Sequence, residues 1–62
     1  MTNEIKELRT ELGLSQKQLG DLAGMAASDI GALERGERIP GVFNAYIIAQ
    51  CLGKRIDEVF FL

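Results

Sequence analysis

The chain has 62 residues, enough for one small domain that buries about 60% of its unfolded surface and too few for most enzyme folds. Apolar residues make up 47% and charged residues 26%, a mix that excludes disordered and low-complexity classes. Seven basic against nine acidic side chains leave a net charge of -2, which counts against a partner held by bulk positive charge, such as nucleic acid.

The start, MTNEIKEL, lacks the layout of a signal peptide, and no apolar run reaches the roughly 18 residues that cross a bilayer. The chain is therefore expected in the cytoplasm, as a single domain over residues 1–62 with no membrane contact. One cysteine and no histidine leave no internal disulfide, no zinc set and no imidazole base, so no metal, cofactor or enzymatic activity is expected.

In the first element Ile5, Leu8 and Leu12 fall at helical spacing on one face, and Gly13 stops the helix. Ser15 with Gln18 three residues on forms the signature of a capping box opening a second helix, whose apolar series is Leu19, Leu22 and Ala23 and which ends at Gly24. A third helix starts near Ala27, buries Ile30 and Leu33 and halts at Gly36; Pro40 keeps residues 37–41 as a loop. The span from Val42 to Leu52 is apolar enough for a well-buried helix, with Val42, Ala45, Ile48, Ala49 and Leu52 on its core face, and Gly53 breaks it. Ile56, Val59 and Phe60 give a last short turn or two. No window alternates with period two, so the predicted fold is all-α: a compact bundle of five short helices without strands.

Residues 16–36 place two short helices around a tight turn at Gly24, the arrangement of a helix-turn-helix. The outer face of the third helix, formed by Ala27, Ser28, Gly31 and Ala32, has no large side chain, and a slim exposed helix can enter a groove. Together with Arg9, the run Leu14-Ser15-Gln16, Leu19, Gly24, Ile30, the run Leu33-Glu34-Arg35-Gly36, Pro40, Ala49, Leu52-Gly53 and Asp57-Glu58, this pattern resembles the Cro and phage-repressor (XRE-type) helix-turn-helix family over most of the chain. Gly31-Ala32-Leu33 and Asn44-Ala45-Tyr46 are similar to the lambda repressor's DNA-binding domain, so a lambda-repressor-like fold is implied.

The resemblance also implies roles. Ala27, Ser28, Gly31 and Ala32 would face base edges in the major groove. Gln16, Lys17, Arg35, Arg38 and Asn44 would hold DNA phosphates, Gln16 also bracing the next helix and Lys6 joining them; Arg35 and Arg38 equally fit a solvated loop pairing with Glu37. Arg9 and Glu34 would form a partly buried ion pair of purely architectural role. Where the family usually has Ala the chain has Gly20, and Ala26, Gly41 and Arg55 replace the usual serine caps, so marginal stability is expected. Asp29 puts a negative charge near the expected phosphates while suiting the positive end of the helix dipole.

Phe43, Ile47 and Cys51 form a second apolar stripe on the fourth helix, and Phe61 and Leu62 add apolar surface at the chain end. That surface predicts a homodimer, although Phe43 and Phe61 could instead fold back on the core and Cys51 suits a small apolar filler. The expected function is a sequence-specific, double-stranded-DNA-binding transcription regulator, dimeric on a near-palindromic site. The alternative is a module acting chiefly through a protein partner, antitoxin-like or antirepressor-like.

Overall fold

A computed structural model describes residues 2–61. Five helices follow in order: α1 (Ile5–Glu11), α2 (Gln16–Ala23), α3 (Ala27–Glu34), α4 (Val42–Leu52) and α5 (Ile56–Val59). A minimal strand precedes them, β1 (Thr2–Asn3), and another follows, β2 (Phe60–Phe61). The two pair antiparallel, Thr2 opposite Phe61 and Asn3 opposite Phe60, and the Glu4 N–H extends the ladder to the Val59 carbonyl at 2.8 Å. These strands correct the strand-free expectation. Two residues are too few to display a period, so only the meeting of the chain ends creates them.

Ile5, Leu19, Ile30, Leu33, Ile48 and Val59, from all five helices, are fully buried and form the centre of the core. Leu8, Met25, Ile47 and Cys51 pack around it half-buried. Three residues expected on buried faces are exposed instead. Leu12 lies beyond the end of α1, Leu22 sits on the outer side of α2, and Val42 is 84% exposed because the apolar stripe of α4 runs past the edge of the body.

Local chemistry fixes the α2 boundaries. The Ser15 Oγ accepts the Gln18 N–H at 3.0 Å while the Gln18 Oε1 accepts the Ser15 N–H at 2.8 Å, a reciprocal capping box. At its other end Gly24 adopts φ 72°, a left-handed conformation that costs glycine little, and the Met25 N–H closes onto the Gly20 carbonyl at 2.8 Å. Gly20 carries more meaning than a weak helix former: a Cβ there would press on the Met25 carbonyl oxygen inside contact distance. The tight approach of the turn explains the glycine.

Ala26 and Gly41 provide no side-chain cap for α3 and α4. At α5 the missing cap is partly replaced, since the Glu58 Oε1 reaches back to accept the Arg55 N–H at 2.9 Å.

Candidate nucleic-acid interface

The α2–turn–α3 unit is fastened at three points. Leu19, Ile30 and Leu33 bury its inner side. The second point is Glu34 at the end of α3. Its Oε2 accepts from the Arg9 Nε at 2.5 Å, and its Oε1 accepts from the Arg9 Nη2 at 3.2 Å and the Gln16 Nε2 at 3.0 Å. The Arg9 Nη1 also donates to the Leu14 carbonyl at 3.1 Å, tying the α1–α2 connection to the same group. Arg9 and Glu34 side chains are only 11% and 6% exposed. Burial alone would push the Glu34 carboxyl up, but hydrogen bonds from Arg9 and Gln16, with the arginine's charge, hold it below the usual carboxylate range. The hydrogen bond to Glu34 in turn raises the Arg9 guanidinium. This pair therefore spans α1 and α3, with Gln16 bringing α2 into the same network.

Asn3 is the third point, which sequence reasoning missed. Its Oδ1 accepts the Ile5 N–H at 3.1 Å, taking over a cap that Glu4 does not provide, and its Nδ2 donates to the Leu33 carbonyl at 2.7 Å. An asparagine two residues before the first apolar position is a local signal for the first bond. The second crosses 30 positions and has no sequence signature.

Upon this frame the residues assigned to base edges fall into three situations. Ser28 is exposed on the first turn of α3, and Ala27 and Ala32 are half-buried. Gly31 is buried, which corrects its placement on the outer face: a Cβ there would meet the Arg35 Nη1 at 3.0 Å and the Gln16 Nε2 at 3.3 Å. Gly31 thus makes room for two longer side chains to cross the helix. One amide proton of Gln16 is committed to Glu34.

Of the cations assigned to phosphate, Lys17, Arg35 and Arg38 are each engaged by a carboxylate. The Arg35 Nε and Nη2 fork onto Glu37 at 2.7 and 3.2 Å, and the Arg38 Nη1 reaches back to the Asp29 Oδ1 at 2.7 Å. The Lys17 Nζ lies 3.2 Å from the Asp21 Oδ2, one turn along α2. Arg35 holds the exposed Glu37 carboxyl below its ordinary range through these hydrogen bonds. Asn44 is exposed in the first turn of α4. Lys17, Gln18 and Asp21 on α2, Ser28 on α3, and Arg35, Glu37, Arg38 and Asn44 beyond it are exposed polar residues on or beside the unit. No group of three or more His, Cys, Asp or Glu that would hold a metal occurs among the described residues. Nor is any described helix long and apolar enough to cross a membrane.

Capping, a left-handed glycine and a buried clamp at the far end of α3 together define a helix-turn-helix unit carried by a small helical body. The chain belongs to the helix-turn-helix family, which it matches over residues 5–59. Among relatives, it is 34% identical over 62 residues to the uncharacterised helix-turn-helix-type transcriptional regulator YgzD of Bacillus subtilis, covering 100% of this chain and 94% of that one. It is 40% identical over 63 residues to a regulator of the same description from Methanothermobacter thermautotrophicus, covering 100% and 91%. Its fold superposes on the restriction-modification controller protein C.AhdI of Aeromonas hydrophila with a TM-score of 0.84 at 39% identity, over 90% of this chain and 85% of that one. The P22 c2 repressor, solved in complex with a synthetic operator, gives 0.83 at 28% identity, over 86% and 80%. The five-helix, lambda-repressor-like architecture is shared with both.

Proposed function

We propose that this protein is a sequence-specific DNA-binding transcription regulator that sits as a homodimer on a near-palindromic operator, with α3 in the major groove. The observation that carries the reading is the surface around Ser28. It is the exposed first turn of a helix clamped at its other end by Arg9, Glu34 and Gln16, with nothing bulkier than serine or alanine at 27, 28, 31 and 32. A rigid, slender helix of this kind meets what major-groove entry demands. In the complex of the P22 c2 relative a synthetic operator is the bound partner, which supports the same partner here. Ser28 then donates to or accepts from a base edge and Ala32 packs on a thymine methyl. Arg35, Arg38, Lys17 and Asn44 anchor the backbone. Gly31 acts by shape, and Gln16 contributes chiefly as the brace between α2 and α3.

Dimerisation supplies the contacts that one small subunit lacks. Exposure moves the proposed interface from the stripe read in the sequence. Ile47 and Cys51 pack against the core, while Ile39 and Phe43 are each 73% exposed and stand beside Val42 and Tyr46 at the start of α4. Tyr46 links this patch to an open groove of about 590 Å³ between α4 and α5, floored by Ala49, Ile56 and Phe60. An uncovered apolar patch of this kind marks an interface. Phe61 is partly exposed beyond it, and Leu62 lies outside the described residues. Phe43→Glu is expected to yield a monomer in sedimentation with the fold intact, because Phe43 contributes nothing to the core.

Selection of bound duplexes from a random-sequence library tests the DNA reading. Enrichment of a palindrome with half-sites about one helical turn apart supports it. Binding without enrichment would shift weight to the antitoxin-like or antirepressor-like reading, which the charge-compensated face and the apolar patch favour.

A further inference from the structure

We infer that Asp29, seconded by Glu37 and Asp21, is a built-in competitor of the DNA phosphates, occupying the cations of the interface and so holding down sequence-independent binding. The inference rests on the DNA reading above. Among the described residues, five of the seven basic side chains form salt bridges. Arg9 is locked in the core clamp and Arg55 pairs with Asp57 on α5. The other three, Lys17, Arg35 and Arg38, are assigned to phosphate with Lys6, and their partners are Asp21, Glu37 and Asp29. Three positive and three negative charges cancel, so these groups give the face no net attraction for a polyanion.

Asp29 matters most because of where it stands. It directly follows Ser28 in the first turn of α3, so seating that turn in a groove carries its carboxylate towards the sugar-phosphate rails. Arg38, nine positions on, neutralises it at 2.7 Å. When Arg38 meets a phosphate, whether it leaves Asp29 or bridges the two anions through its free N–H groups, its single charge no longer neutralises Asp29 in full, and that carboxylate gathers a cation of its own. The contact exchanges one anion for another, and little net counterion release results. Sequence-independent binding draws essentially all of its free energy from that release. It is therefore the mode that this pairing suppresses, whereas base contacts from α3 are untouched by it.

The test measures binding of the intact chain to a mixed-sequence duplex of about two helical turns over a range of salt concentrations. Asp29→Asn keeps a polar side chain in the first helical turn and removes only the charge. Its affinity at low salt should rise about two- to fivefold. The slope of log affinity against log salt should steepen by up to about 0.9, one regained phosphate contact. Glu37→Gln should act in the same direction, and thermal melts identify any variant that has lost its fold. Asp57→Asn, which frees Arg55 away from the interface, should leave the slope unchanged. In an Arg38→Gln background the slope change from Asp29→Asn should shrink, because no cation is left there to be freed and only the relief of the carboxylate's own repulsion remains. An unchanged or shallower slope in both Asp29→Asn and Glu37→Gln overturns the inference. So does an equal gain from Asp57→Asn, which would make net charge the cause, or a slope change of undiminished size without Arg38, which would make the pairing irrelevant. If neither the parent chain nor any variant binds DNA at low salt, the DNA reading itself fails and takes this inference with it.

Discussion

Two ion pairs, one buried and one exposed, show how the same chemistry serves opposite ends in this molecule. Arg9–Glu34 has side chains 11% and 6% exposed, and both partners make further hydrogen bonds, to the Leu14 carbonyl and the Gln16 amide. Arg38–Asp29 has a comparable separation but side chains 58% and 38% exposed. Water can replace either partner of the second pair at small cost, whereas the first has no substitute for either. The buried pair is therefore fixed as architecture, and the exposed pair can be exchanged for a phosphate.

The largest effect that can break this contrast comes from the clamp. Arg9→Met should destabilise the domain by about 3–5 kcal/mol in denaturant unfolding, since it strands a buried carboxylate. A loss under about 1 kcal/mol would put the clamp in the same class as the surface pairs. Lowering the pH sharpens the point. The folded state holds the Glu34 carboxyl below its ordinary range, so its contribution is complete above the unfolded value of about 4.3 and is lost as the pH falls through the depressed folded value. Stability of the parent chain should thus decline below about pH 4.3, and Glu34→Gln should be less stable at neutral pH but flatter across that acidic window, as read by unfolding at successive pH values.

An intermediate effect is expected at Gly20. Helix propensity alone predicts that Gly20→Ala stabilises by up to about 1 kcal/mol, while the approach of the Met25 carbonyl predicts a net loss of about 1–2 kcal/mol. The sign of the change in denaturation midpoint decides between them. Smallest is Arg38→Ala, which should alter stability by no more than about 0.5 kcal/mol yet weaken binding to all DNA sequences alike.

Legibility in the sequence followed the range of the interactions. The capping box at Ser15 and Gln18 and the turn at Gly24 depend on neighbours within a few residues, and both were readable. The register of α4 was only half legible. Its period marks Ala45, Ile48, Ala49 and Leu52 as buried, but period alone cannot say how far along a stripe the rest of the body extends, so Val42 shares the predicted inner face and yet stands exposed. The same gap displaced the apolar patch, because Ile47 and Cys51 lie beside the core and Ile39 and Phe43 beyond it. Gly31 followed the spacing of an outer face, and nothing local showed that Gln16 and Arg35 would fold over it.

Apolar spacing, capping residues and glycine stops by themselves determined five helices and their order, since each is settled by backbone geometry over one or two turns. Only tertiary structure decided that the chain ends pair as strands, that Asn3 bridges α1 and α3, and that Arg38 reaches back to Asp29. Those outcomes depend on distances between residues far apart in the chain, which exist only once the core around Ile5, Leu19 and Ile48 has closed.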